Sequence, residues 1–177
     1  MPGFKIENYD SNGPPNTVET ARSHRWFISK LGPVGNENDI FIKLAKEMTL
    51  PTWKVEQLNV LGASLNYKFA KNVKWEDITI TFYDTISITQ KLEDWRNKVH
   101  KNDTGIGNHG ISGGYKDTCE FTEVDGKGVT IRKVTLNGSW PSTVGYGKLS
   151  YADSSIKLVE LTLTYDYAEI EDTPPSN

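Results

Sequence analysis

Leu158-Val159-Glu160-Leu161-Thr162-Leu163-Thr164-Tyr165-Asp166-Tyr167 decides the fold class. Val159, Leu161, Leu163, Tyr165 and Tyr167 share one parity; Glu160, Thr162, Thr164 and Asp166 share the other. Successive side chains of a pleated strand point to opposite faces, so this segment has one core face and one face that is wet or lines a polar lumen. The same period recurs upstream. Ile78, Ile80 and Phe82 alternate with Thr79 and Thr81, and Ala63, Leu65, Tyr67 and Phe69 alternate with Ser64, Asn66 and Lys68. The chain is predicted to be mainly β.

Other segments carry weaker signals. Residues 25–31 are apolar on both parities, which predicts a strand covered on both sides. In 129–140, Val129 and Ile131 occupy one parity and Val134 and Leu136 the other, so a β-bulge or a change of covering is expected near Arg132-Lys133. Residues 148–151 read as a short strand, and 40–50 fit helical and strand spacing alike. Asp125-Gly126-Lys127-Gly128 is an expected hairpin tip. One helix is signalled. Ser87-x-x-Gln90 matches a capping box, and Ile88, Leu92, Trp95 and Val99 form one apolar stripe. Residues 102–118 are a Gly-rich loop. Residues 1–23 read as an N-terminal arm, polar and Pro-broken apart from Phe4, Ile6 and Tyr9; 24–168 is the β domain; 169–177 reads as a frayed acidic tail.

Composition limits the function classes. The 177 residues suit one domain, and 36% apolar residues suffice for a core. A net charge of −3 excludes a broadly basic nucleic-acid coat. The single Cys119 excludes an internal disulfide framework and a multi-Cys zinc site. No run of 18 apolar residues occurs, so no transmembrane helix is expected. The N-terminal residues have no apolar stretch of signal-peptide length, and a reducing cytosol is the expected place of synthesis.

The residues that could carry chemistry are poorly arranged for it. Gly105-x-Gly107-x-x-Gly110 matches a dinucleotide pattern, but a helix precedes it where a strand is needed. His24, His100 and His109 lack metal-ligand spacing, and Cys119 has no base nearby in sequence. Asp77, Asp84, Glu93 and Asp94 are carboxylates at a strand–helix join, where capping and solvation are the ordinary roles. No enzyme and no cofactor or metal site is predicted.

Five segments in order resemble the tail tube protein family of contractile-tailed bacteriophages, which is related to the inner-tube proteins of contractile injection systems. They are Thr49-Leu50-Pro51, Ile78 to Asp84, Lys91 to Trp95, Val134 to Val144 with its Gly138-Ser-Trp140-Pro141 centre, and Leu158 to Tyr167. The resemblance runs from about Trp26 to Tyr167. It implies an antiparallel β-sandwich or barrel with one flanking helix, its strands closing a continuous inner barrel across a hexameric ring. Rings would stack into the inner tail tube of a virion, assembled in the bacterial cytoplasm. That tube is the conduit for genome or effector delivery when the sheath contracts. Implied partners are further copies of the chain, the tail sheath protein, baseplate and tail-terminator proteins. In the lumen they are the tape-measure protein and double-stranded DNA, held without sequence-specific binding; no membrane is implied. The alternatives are a tube protein of a non-phage injection system, a baseplate tube-initiator, or a β-sandwich ligand-binding module using Trp53, Trp75 and Trp140.

Three surfaces follow as expectations. Leu50, Pro51, Trp53, Leu58, Val60 and Leu61 are too apolar for an exposed loop region and are expected at a subunit or ring interface. Glu160, Thr162, Thr164 and Asp166 are the expected lumen row. Glu93, Arg96 and Lys101, on the polar side of the helix, are expected to meet the sheath.

Overall fold

The computed structural model describes residues 22–39, 42–61, 65–101, 107, 110, 114–152 and 154–172. Phe4, Ile6, Tyr9, His109 and most of the Gly-rich loop lie outside them. In chain order the elements are β1 (Trp26–Leu31), β2 (Gly35–Asn36), a 3-10 turn (Ile42–Leu44), β3 (Ala45–Met48), β4 (Trp53–Leu61), β5 (Asn66–Trp75) and β6 (Ile78–Tyr83). The helix α1 (Ile86–Val99), β7 (Asp117–Val124), β8 (Thr130–Gly145), β9 (Leu158–Thr164) and β10 (Tyr167–Asp172) complete them.

Eight strands form one antiparallel sheet in the order β2-β1-β7-β8-β9-β6-β3, with β10 beside β8, while β4 and β5 pair only with each other. No sheet closes. The expected barrel is therefore corrected to an open sheet with a flanking helix. Alternating apolar and polar residues specify that one face is covered, and an open sheet satisfies that as well as a closed one. The sheet ends on the short strands β2 and β3, and a short edge offers little to pair with.

β8 holds the sheet together. Its first part lies between β7 and β10, and its second part pairs with β9. Between the two, Gly138 has φ +68, and the β7 register slips by one residue there. A Cβ at Gly138 would fall 2.2 Å from the Asp166 carboxylate, so the bulge needs glycine for both conformation and space. Because of this slip, Val134 and Leu136 are buried before the bulge and Ser139 and Pro141 after it. A second slip separates Glu123 and Val124 from their partners Arg132 and Thr130, close to the expected bulge.

The core is a single cluster. Ile78, Ile80 and Phe82 of β6 meet Val159, Leu161 and Leu163 of β9, with Ile28, Phe121 and Leu136 from the other limb. Ile88, Leu92 and Trp95 bring the helix onto it. A helix this short is not stable alone in water, so its apolar stripe must be covered.

Several local readings change. β1 is apolar on both parities because its register slips between Ile28 and Lys30, turning Ile28 and Leu31 inward together; Phe27 stays exposed. Residues 42–48 are a 3-10 turn followed by a strand, which explains their double periodicity. Residues 148–151 form no strand, and Leu149 and Tyr151 are exposed. The helix cap is Thr85, whose Oγ1 accepts from the Ile88 N–H, so Ser87 lies inside the first turn and the capping box fails. Residues 169–172 are not frayed: they belong to β10, where Arg132 donates to Asp172 at 2.7 Å and Glu171 lies opposite Lys133.

Candidate assembly surfaces

The β4–β5 ribbon is the most unusual surface. All of its strand residues are exposed except Glu56 and Trp75, which are half-buried. Its root is held by the Glu76 N–H donating to Thr52 O at 2.8 Å, and by Trp75, whose ring lies 6.0 Å from that of Tyr165. Trp53, Leu58 and Val60 of the expected interface lie along β4, and Leu61 is at its end, 86% exposed. Leu50 and Pro51 lie on the connection into β4, with Leu50 about half exposed and Pro51 half-buried. The ribbon thus gathers these residues and adds Tyr67 and Phe69 of β5, which pair with Val60 and Leu58. The alternation in 63–69 signalled that strand; its exposure had no local signal. The three Trp of the ligand-binding alternative do not come together as one platform. Trp53 and Trp75 pair across the ribbon, whereas Trp140 meets Tyr115 edge to face.

The second surface is the outer face of β9 and its neighbours. Glu160 is exposed and Thr162 and Thr164 are half-buried. Register puts Glu47, Thr81 and Glu160 in one row and Thr79, Thr162 and Thr143 in another. Hydroxyls and carboxylates make up these rows, Thr81 among them being buried. Asp166 stands apart from it at the β9–β10 junction, where Lys116 donates to its carboxylate at 2.6 Å.

On the helix, Glu93 pairs with Arg96 at 2.6 Å and also accepts from the Tyr146 hydroxyl. Lys101 is exposed just past the helix end. The buried side of the helix is fixed by Trp95, whose indole N–H donates to Tyr115 O at 2.8 Å.

Several of the groups considered for catalysis are engaged structurally, while Asp77 and Asp94 are simply exposed. Cys119 is fully buried, and desolvation pushes its thiol pKa up to about 12, so thiolate is absent near neutral pH. Asp84 is held below the usual carboxylate range by hydrogen bonds from Lys157 and Thr89. His24 is exposed and His100 caps the helix C-terminus. Among the described residues, no group of three or more His, Cys, Asp or Glu could hold a metal ion. Among them, too, no helix is long and apolar enough to cross a membrane.

No family model and no curated protein sequence matches the chain. Solved structures do match its fold. The tube-terminating cap of the anti-feeding prophage superposes with a TM-score of 0.63 at 10% identity, covering 94% of this chain and 100% of that one. The sheath/tube terminator of an extracellular contractile injection system gives 0.68 at 13% identity, covering 88% and 99%. A chain from the sheath–tube complex of such a system gives 0.65 at 13%, covering 89% and 95%. At these identities the likeness is one of fold, and it extends over nearly the whole length of each.

Proposed function

We propose that the chain is a structural, tube-forming subunit of a contractile injection particle. The full-length likeness of fold to tube and tube-terminator chains of such particles carries this reading. The exposed apolar ribbon agrees with it. A monomer that left this surface in water would be prone to association, whereas a subunit of a polymer covers it. Copies of the chain assemble as hexameric rings that stack around a bore, with 24–172 as the ring-forming domain, since β10 belongs to its sheet, and 1–23 as an arm. The Glu160–Thr162–Thr164 face lines that bore. Acidic and hydroxyl groups there let a polyanion or an effector pass without being held, whereas Lys or Arg would bind phosphate. Glu93, Arg96 and Lys101 face the sheath, and the ends of the tube meet terminator and baseplate proteins.

Two kinds of particle fit. The solved structures favour an injection device without a genome, in which the chain is a tube, terminator or initiator subunit. The five ordered segments that resemble phage tail tubes support the second reading, a virion tail that conducts DNA around a tape-measure protein. Capsid and portal genes beside a sheath gene would select the virion, and their absence the device.

The test is direct. Purified protein viewed by negative-stain microscopy should show rings or tubes about as wide as a tail tube. Trp53→Ala should leave a folded protomer that assembles poorly. A wild-type chain that stays monomeric at all concentrations would instead favour a ligand-binding module, and normal tubes from Trp53→Ala would remove the ribbon from the interface.

A further inference from the structure

We infer that the β4–β5 ribbon is gripped by two different neighbouring copies of this chain, one over its root and one over its tip, from opposite sides. This rests on the tube-forming reading above and adds to it a division of labour within one hairpin.

The register carries the inference. Residues opposite each other across an antiparallel pair project to the same face, and successive residues alternate. Near the root, Trp53 pairs with Trp75 and Val55 with Val73, making one apolar face. The reverse face there holds Lys54, Lys74 and Glu56, with Lys74 and Glu56 ion-paired. Between Val55 and Gln57 the register slips, with an extra residue in β5. Beyond that point the pattern inverts. Leu58 pairs with Phe69 and Val60 with Tyr67 on the face that was charged at the root, while Gln57, Asn59, Lys68 and Asn66, with Ala70 and at the very end Leu61, occupy the face that was apolar. Each half is amphipathic, and the two halves have opposite senses.

A flat partner can therefore cover one half or the other. An isolated two-stranded ribbon is at best marginally stable in water, so both halves need cover. The side chains of the two patches are mostly about half exposed, and one partner of a stable interface contributes roughly 800 Å², so each patch is only part of its interface and the copy that covers it also contacts surface beside the ribbon. The occupants are copies of this chain, as the tube-forming reading requires, and the chain carries exposed apolar side chains outside the ribbon for one of these contacts to use. Ile86 and Ile156, 79% and 70% exposed, flank the Asp84–Lys157 ion pair at the start of the helix, away from the ribbon in sequence. A contact between unlike surfaces of identical chains repeats from copy to copy, as a ring or a stack requires.

Two variants separate the halves. Val55→Thr with Val73→Thr makes the root patch polar, and Leu58→Thr with Phe69→Thr does so at the tip; threonine suits an exposed strand. Both proteins should keep the wild-type circular dichroism spectrum. In mass photometry each should lose about tenfold or more of the assembled fraction at matched concentration, and the two should arrest at different oligomer sizes. Arrest at the same species would overturn the inference while leaving tube formation intact. In parallel, a photo-crosslinking residue is placed at position 55 or 60 of the full chain, in particles mixed from isotopically light and heavy copies. It should link light to heavy chains at two non-overlapping acceptor segments. A shared acceptor segment, or links only within one copy, would overturn it. A wild-type chain that never assembles would refute the tube-forming reading and this inference with it.

Discussion

Gly32→Ala tests how the helix is seated on the sheet. Gly32 follows β1 with φ +45, and its N–H donates to Thr118 O at 3.1 Å. A Cβ built there falls 2.9 Å from both Cη2 and Cζ2 of Trp95. The indole cannot retreat freely, because it is 1% exposed and its N–H is bonded to Tyr115 O. Alanine in a left-handed conformation costs about 1–2 kcal/mol, and forcing a methyl against a packed ring about 1–3 kcal/mol more. The expected loss is about 2–5 kcal/mol, a large part of the ~5–15 kcal/mol that holds a domain together. Trp95→Phe removes the ring atoms that would clash. In that background Gly32→Ala should cost only the backbone strain, about 1–2 kcal/mol. Urea unfolding of the four protomers gives the cycle, and each kcal/mol moves Tm by about 2–4 °C at this chain length. The coupling energy should be about 1–3 kcal/mol in favour of the double variant. Additivity within about 0.5 kcal/mol would show that Gly32 and Trp95 do not press on each other.

Thr85→Ala should cost about 1 kcal/mol through the lost cap, while Ser87→Ala, inside the exposed first turn, should stay within about 0.5 kcal/mol in the same urea assay. The depressed carboxyl of Asp84 contributes stability above its unfolded pKa of about 3.9 and loses it as pH falls through the lower folded value. Stability profiles measured from pH 7 to pH 2.5 should therefore be flatter on the acid side for Asp84→Asn than for wild type, and parallel curves would count against the pairing with Lys157. Cys119 should be inert to a disulfide thiol reagent at pH 8 in the folded protein and react fully once denatured; rapid native-state reaction would mean that the core opens locally.

Legibility in the sequence followed the range of the interaction. β6 and β9 could be read from their alternation because both bury a continuous apolar face, and period 2 is a local property. The helix stripe was readable for the same reason, yet its cap was not. Thr85 and Ser87 are both plausible hydroxyls, and which one lies at the boundary depends on where β6 ends. The acidic run after Tyr167 read as a solvated tail because its cationic partners, Arg132 and Lys133, lie far back in the chain. Apolar residues on both parities of 25–31 suggested cover on two sides, whereas the slip after Ile28 rotates the strand instead. Whether the sheet closes was beyond reach, since closure is decided by which strands end at an edge. For the assembly surfaces, the sequence located the apolar residues of the ribbon and their parity switch between Val55 and Leu58, but Tyr67, Phe69, Val73 and Trp75 keep one parity, and the extra residue in β5 that reconciles the two strands appears only when they are set in register.

The order in which β8 gathers its neighbours governs how fast the chain can fold. Its pairing with β7 spans only the short turn at Asp125–Gly128, and hairpins of this kind form in about 1–10 μs. The flanks are different. Ser29 meets Thr122 across 93 positions of sequence, Thr79 meets Thr162 across 83, and Tyr165 reaches Glu76 O across 89. Chains dominated by such distant contacts fold in roughly milliseconds to seconds, because loop closure must be completed before the contacts form. Until β1 has met β7 and β6 has met β9, the two outer edges of the β7–β8–β9 meander and the bare ribbon face solvent together. At high expression the nascent chain then has two competing routes, pairing with itself or with another unfinished chain. Slower synthesis or lower temperature should therefore raise the yield of soluble protomer by giving the distant strands time to find each other.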